Sequence, residues 1–238
     1  MTSTSRVLLQ FCALLLASSC CLSAQTKNPE DLAPGKILVA TRHGTDGLFA
    51  KSVILLVRYD HTGALGLMVN HRTTMPISRA LSELKVAEGH SDPIFVGGPV
   101  ELGTIFALAR AAHKPNGARA VIGDIYFIST KSALEKALGG ASNPSGLRIY
   151  AGYCGWGPQQ LEHEVLRGSW YIFSRSEDVS FDAKPATLWS RLISKTERQF
   201  VRLNPTPPPH REKVRLQSPQ SSIDRRQLVD WKNWRADL

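Results

Sequence analysis

Cysteine is scarce, and it is absent from where it could build a scaffold. The 238-residue chain has four, and Cys12, Cys20 and Cys21 fall within the first 24 residues, leaving Cys154 alone in the remainder. One thiol cannot close an intramolecular disulfide, and no CxxC pair exists to hold zinc or cycle redox state. Folding must therefore rest on core packing. Long hydrophobic runs are missing too. The stretch Val7–Ala17 spans eleven residues, too few to cross a bilayer, which excludes a polytopic membrane protein. No Walker loop or Gly-x-Gly-x-x-Gly fingerprint occurs. His163-Glu164 begins a zincin pattern, but Arg167 stands where the second histidine must be. His43, Asp46, His61 and His71 lack metal-ligand spacing, and no helix-turn-helix is legible. Neither a metal nor a cofactor is expected.

What is present is a globular composition, 42% hydrophobic and 21% charged, which excludes a wholly disordered chain. Met1–Arg6 is largely polar with one positive charge, Val7–Ala17 is apolar apart from Gln10, and Ser23-Ala24 supplies a small-residue exit. Those three parts make a secretory signal peptide over residues 1–24, cut ahead of Gln25. Ala17-Ser18-Ser19-Cys20 also forms an imperfect lipobox, which would put a lipid anchor on Cys20. The expected location is therefore exported, periplasmic or lipid-anchored. The competing reading is a cytoplasmic protein with a mis-called start.

Residues 25–194 form the expected globular domain, large enough for one substantial core. Residues 195–238 read as a basic tail around Pro205-Thr206-Pro207-Pro208-Pro209, with ten basic against five acidic residues. Most of the net charge of +9 thus lies outside the domain, which carries only +3. Sequence-specific DNA is not an expected partner. Near the end, Leu228, Trp231 and Trp234 fall at helical spacing. Two readings compete there: docking or disorder, and a short amphipathic helix resting on an anionic membrane surface.

Within the domain, Ile37–Ala40, Ser52–Tyr59, Ala64–Asn70, Ile94–Val96, Thr104–Leu108, Ile125–Ile128, Leu147–Tyr153 and Ser169–Phe173 read as strands. Asp60-His61-Thr62-Gly63 makes a hairpin of the second and third. Helices are expected over Pro76–Leu84, from a Ser129 or Thr130 cap to Leu138, over Pro158–Leu166 and over Ala186–Ile193. Short helices interspersed irregularly among many strands argue for an α+β fold.

The densest unusual stretch is GYCGWGPQQLEHE, Gly152–Glu164. Glycines permit close backbone approach, and Gly155-Trp156-Gly157 reads as a turn. Backbone amides at Gln159 and Gln160 would open the following helix as anion-receptive donors. One reading makes this a pocket with a thiol, an aromatic wall and two carboxylates. The other makes it a tight turn packed by Tyr153 and Trp156. Cys154 lacks the Gly-x-nucleophile-x-Gly spacing of a hydrolase elbow, because Trp156 stands where glycine must be. Glu162 and Glu164 sit about 200° apart around a helix and so diverge as an acid–base pair.

Phe49-x-x-Ser52-Val53-Ile54, Gly63-Ala64-x-Gly66-Leu67-x-Val69-Asn70, Phe95-Val96-Gly97-Gly98-Pro99-Val100 and the GYxGWGPxQLExE stretch with Trp170 resemble the YqgE/AlgH family of bacteria. The likeness runs from about Gly35 to Ile193. It implies an α+β fold whose bifurcated, mostly antiparallel sheet is partly curled into a small closed barrel flanked by short helices. It implies no established catalytic residues, metal or cofactor, although some members carry the label of transcriptional regulator. The chain departs from the family pattern with Cys154 in place of the usual alanine, with Ala109 where a histidine often stands, and with its leader and tail. Three functions are weighed. The first is a non-enzymatic binding or regulatory module using Asn70, Gly97, Gly98, Pro99, Tyr153, Trp156, Gln160, Glu162 and Glu164, its partner a protein or a small anion. The second is a hydrolase or transferase using Cys154 or the Glu162/Glu164 pair. The third is the transcriptional regulator of the family label.

Overall fold

The computed structural model describes residues 25–203 apart from 45–46, 141–145 and 175–176. The leader and the Leu228/Trp231/Trp234 segment lie outside those residues. Eleven strands run in chain order: β1 (Gln25–Thr26), β2 (Ile37–Ala40), β3 (Val53–Asp60), β4 (Gly63–Met68), β5 (Arg72–Pro76), β6 (Pro93–Val96), β7 (Val100–Arg110), β8 (Arg119–Ile122), β9 (Ile125–Ile128), β10 (Leu147–Trp156) and β11 (Trp170–Phe173). Helices α1 (Ile77–Ala80), α2 (Lys131–Gly139), α3 (Gln160–Leu166), α4 (Glu177–Ser180) and α5 (Pro185–Leu203) pack around them. The fold is α+β, as expected.

The main path of the sheet is β1-β11-β2-β3-β4-β10-β7-β9-β8, and β6, carrying β5, branches from β10. Every pairing is antiparallel except β6 with β10. β10 is the trunk of the fork. It pairs along its length with β7, at Tyr150 and Ala151 with β6, and from Cys154 to Trp156 with β4. Its side chains alternate between two hydrophobic clusters. Tyr150, Cys154 and Trp156 join the larger one beneath β2, β3, β4 and β11, and Leu147 and Ile149 join the smaller one under α1 and α2. A fully buried aliphatic side chain contributes about 1.5–3 kcal/mol. The runs Ile37–Ala40 and Val53–Val57 are buried throughout, so the larger cluster anchors the fold.

The closed barrel is not formed. Among the described residues no ladder joins β1 to β8, the two ends of the path. The sheet curls until β8 lies beside β3, and Ile122 packs against Gly35 so closely that a Cβ there would sit 2.8 Å from the Ile122 Cβ. The gap is filled by side chains instead of a ladder. Burial and the neighbouring Arg58 both lower the pKa of Arg119, with Asp60 opposing them.

Local chemistry accounts for the helix limits. Thr130 caps α2, its side chain accepting from the Ala133 N–H. The expected helix over Pro76–Leu84 shrinks to α1, four residues long. The expected helix over Ala186–Ile193 extends instead to Leu203, carried on by the Arg42–Glu197 ion pair, 2.5 Å from Nε to Oε1, and by the buried Thr196.

Candidate functional site

The two glycine-rich segments meet at the fork. The Gly97 N–H donates to the Ala151 carbonyl at 2.8 Å, and the Gly97 carbonyl accepts from the Met68 N–H at 2.8 Å. Gly97 therefore bridges β4 and β10 where their own ladder has parted. A Cβ on Gly97 would lie 2.2 Å from the Gly152 oxygen, and one on Gly98 would lie 2.1 Å from the Tyr153 carbonyl carbon. Gly152 itself is bulged at φ +70, where the β7–β10 register shifts between Ala151 and Tyr153. Glycine is required at this crossing because backbone meets backbone. Gly155 and Trp156 continue β10 and do not form the expected turn. The chain turns after Trp156, with Gln159 in the left-handed region at φ 61 and helix α3 starting at Gln160. Pro158 thus precedes the helix, and the Gln160 N–H is used by the Gly157 carbonyl.

The aromatic residues of the motif point inward to one carboxylate. Glu164 Oε2 accepts from the Trp156 indole at 2.9 Å and from the Trp170 indole at 2.8 Å. Glu164 Oε1 accepts from Gln160 Nε2 at 3.1 Å, and Gln160 Oε1 in turn accepts from the Gly157 N–H. Phe49 completes the group, stacked on Trp156 with centroids 6.3 Å apart and edge-on to Trp170 at 6.0 Å. Glu162 faces elsewhere, accepting from the Tyr59 hydroxyl at 2.7 Å. Burial and that contact push the Tyr59 pKa up to about 12. The two carboxylates diverge, as the helical spacing required.

Cys154 is fully buried, and its thiol donates to the Gly97 carbonyl at 3.4 Å. Burial, reinforced by the Glu164 charge, pushes its pKa far above the ordinary thiol range. A neutral, sealed thiol is no nucleophile. Of the nine residues expected to form one surface, Gly97, Gly98 and Trp156 are interior, while Pro99, Tyr153, Glu162 and Glu164 are half-buried around the fork. Gln160 is exposed on α3.

Asn70 lies instead at an open hollow of about 490 Å³ lined by Ala50, Lys51, Asn70, His71, Ala186, Trp189 and Ser190. Its carboxamide, 9% exposed, accepts from the Val53 N–H at 2.8 Å and donates to the Lys51 carbonyl at 3.0 Å. That clamp holds Lys51 at φ 58, a left-handed conformation unfavourable for a residue with a Cβ. His71 is fixed through its carbonyl, which accepts from the Val96 N–H, and its Nε2 lies 3.4 Å from the buried Ser52 hydroxyl. Burial lowers the His71 pKa. From the first turns of α5 come Ser190 and Trp189, whose indole donates to the Ala40 carbonyl at 2.8 Å. A second, smaller hollow of about 270 Å³ flanks the same helix start, between Arg72, Asp92, Phe95, Arg148 and Phe181. Among the described residues no cluster of His, Cys, Asp or Glu could hold a metal. No described helix is long and apolar enough to cross a membrane.

Sequence reasoning missed Lys51, Trp189 and Ser190. Only the Asn70 position within the Gly-Leu-x-Val-Asn segment pointed to this place, because α5 reaches it from the far end of the chain.

A forked, largely antiparallel sheet whose branch point is built from three glycines, Gly97, Gly98 and Gly152, and locked by a carboxylate between indoles defines the class of protein. The chain belongs to the AlgH-like family, whose sequence profile matches residues 37–200. A UPF0301 protein of Streptomyces avermitilis is 34% identical over 177 residues, covering 70% of this chain and 88% of that one. A UPF0301 protein of Chlorobium phaeobacteroides is 30% identical over 165 residues, covering 69% and 87%. The fold is similar to the solution structure of the AlgH protein from Pseudomonas aeruginosa, with TM-score 0.55 and 23% identity over 74% of this chain and 94% of that one. A crystal structure of a Corynebacterium diphtheriae protein aligns with TM-score 0.59 and 19% identity, covering 69% and 87%.

Proposed function

We propose that the protein is a non-enzymatic binding module whose ligand enters the hollow beside α5, with the Gly97–Val100 and Gly152–Glu164 segments acting as its frame. One observation carries the reading: the motif groups with catalytic potential are already engaged inside the fold. Cys154 is sealed, Glu164 holds two indoles and Gln160, and Glu162 holds Tyr59. The hollow, by contrast, opens to solvent beside Asn70 and offers cationic, hydroxyl and aromatic groups to one volume, the usual make-up of a small-ligand site. A regulatory role exerted on DNA finds no support in a domain carrying only +3. Export is part of the proposal and rests on the leader over residues 1–24.

The test is complementation of a deletion strain. Ala186 is exposed on α5, so Ala186→Trp fills the hollow without disturbing the core. It is expected to abolish complementation while leaving the thermal midpoint intact, whereas Cys154→Ala and Glu162→Gln are expected to complement. Full complementation by Ala186→Trp refutes the assignment, and loss with Cys154→Ala at wild-type stability revives the hydrolase or transferase reading. Sequencing the mature N-terminus tests export. A start at Gln25 or a modified Cys20 supports it, and an intact Met1 refutes it.

A further inference from the structure

We infer that the hollow beside α5 is a site for a small molecule bearing an oxyanion, phosphate or carboxylate, with Lys51 as its charged anchor and Asn70 as the positioning residue. The inference rests on reading the hollow as the ligand site and names what enters it. Three independent features converge. The first is charge: Lys51 is the cation lining the volume, and none of the lining residues is acidic. The second is backbone strain. Lys51 is one of three described residues other than glycine with positive φ, and such strain persists only where surrounding structure over-determines it. Here the Asn70 carboxamide does so, grasping the chain on both sides of Ser52 through Lys51 and Val53. A lysine serving only as a solvated surface charge would need no such clamp, because glycine would fill the turn without strain.

The third feature is the wall. Trp189 is held by its indole bond to Ala40, and the Arg42 guanidinium lies 5.4 Å from its ring centroid. Arg42 is itself paired with Glu197, so the contact braces the ring without adding net charge. Ser190, exposed at the rim, donates its hydroxyl to the Thr187 carbonyl at 2.9 Å and could donate to a ligand only by exchanging that bond. An oxyanion finds a counter-charge in Lys51, whereas a cationic ligand would meet that like charge with no carboxylate in the lining to offset it.

The probes are inorganic pyrophosphate and citrate, with putrescine as the cationic control, titrated into the mature chain and followed by two-dimensional amide and indole NMR. Either oxyanion is expected to shift the Lys51 and His71 amides and the Trp189 indole at millimolar concentration, weakening as salt rises. Lys51→Gly separates the two roles of this residue. It relieves the left-handed strain and raises the thermal midpoint, yet it should weaken oxyanion binding about tenfold, the loss of one exposed charge contact. Asn70→Ala should weaken binding with Lys51 still present. No shift with either oxyanion, unchanged affinity in Lys51→Gly, or preferential binding of putrescine would each overturn the inference. If Ala186→Trp fails to complement while neither oxyanion binds, the hollow remains the functional site and the oxyanion assignment falls alone.

Discussion

Removing the Glu164 carboxylate tests the framework most directly, because a single side chain serves three donors. In Glu164→Ala the indoles of Trp156 and Trp170, 5% and 1% exposed, lose their shared acceptor, and Gln160 loses its partner. A buried donor left without an acceptor costs about 1–3 kcal/mol. Glu164 is itself half-buried, so water can reach the vacated space, and the lower half of that range applies to each indole. The sum is about 3 kcal/mol, which for a domain of this size lowers the midpoint by about 6–12 °C. Glu164→Gln keeps one oxygen for the indoles. Its amide nitrogen, however, would face the Gln160 nitrogen, and turning Gln160 over would break its bond from the Gly157 N–H. The expected cost is about 1 kcal/mol. Urea unfolding of the mature chain measures both, and a cycle with Trp170→Phe isolates the coupling. A Glu164→Ala protein within about 0.5 kcal/mol of wild type, or no coupling to Trp170, would refute the argument that this motif is a structural lock.

Three further outcomes are expected. Gly98→Ala drives a methyl into the Tyr153 carbonyl and should destabilise by at least about 3 kcal/mol, seen as insoluble or early-melting protein; a soluble protein melting like wild type would contradict the fork geometry. Cys154 should resist a thiol-specific chromogenic reagent in the native state and react only at the rate of unfolding, so rapid native labelling would show that the thiol is not sealed. Tyr59 has a folded pKa of about 12 against an ordinary value near 10, so folding favours its neutral form. Its contribution is fully present below pH 10 and is lost as pH rises from 10 to 12. Urea midpoints measured over that window should fall less steeply in Tyr59→Phe, and parallel curves would refute the assignment.

Much of the fold is legible in the sequence where local chemistry and tertiary structure agree. The β3–β4 hairpin is announced by an aliphatic run, a turn and a second run, and Ile37–Ala40 and Ile125–Ile128 have the limits their residues suggest. Thr130 caps its helix as its type requires. The misreading at Gly155-Trp156-Gly157 has a physical cause. Glycine normally punctuates strands, but Gly152 and the facing Gly97-Gly98 let two backbones cross, and Gly155 runs on in β10 with the Tyr153 ring 3.1 Å from where its Cβ would be. The strands Arg72–Pro76 and Arg119–Ile122 have neither alternation nor length, and only their partners make them strands. The carboxylate that gathers two indoles could not be read from spacing alone, because the convergence depends on β11 returning beside α3. The open hollow was still less legible, since Lys51 and Trp189 are distant in the chain and neither belongs to a motif.

β10 is at once the neighbour of β4, β6 and β7 and the last of these four strands to be synthesised, so the others wait on it. A nascent chain ending at Gly139 would present β4, β6 and β7 with their shared central seat vacant and both apolar clusters unsealed. Such an intermediate should expose apolar surface, and the protein should offer no free-standing N-terminal fragment to proteolysis or to gene fusion.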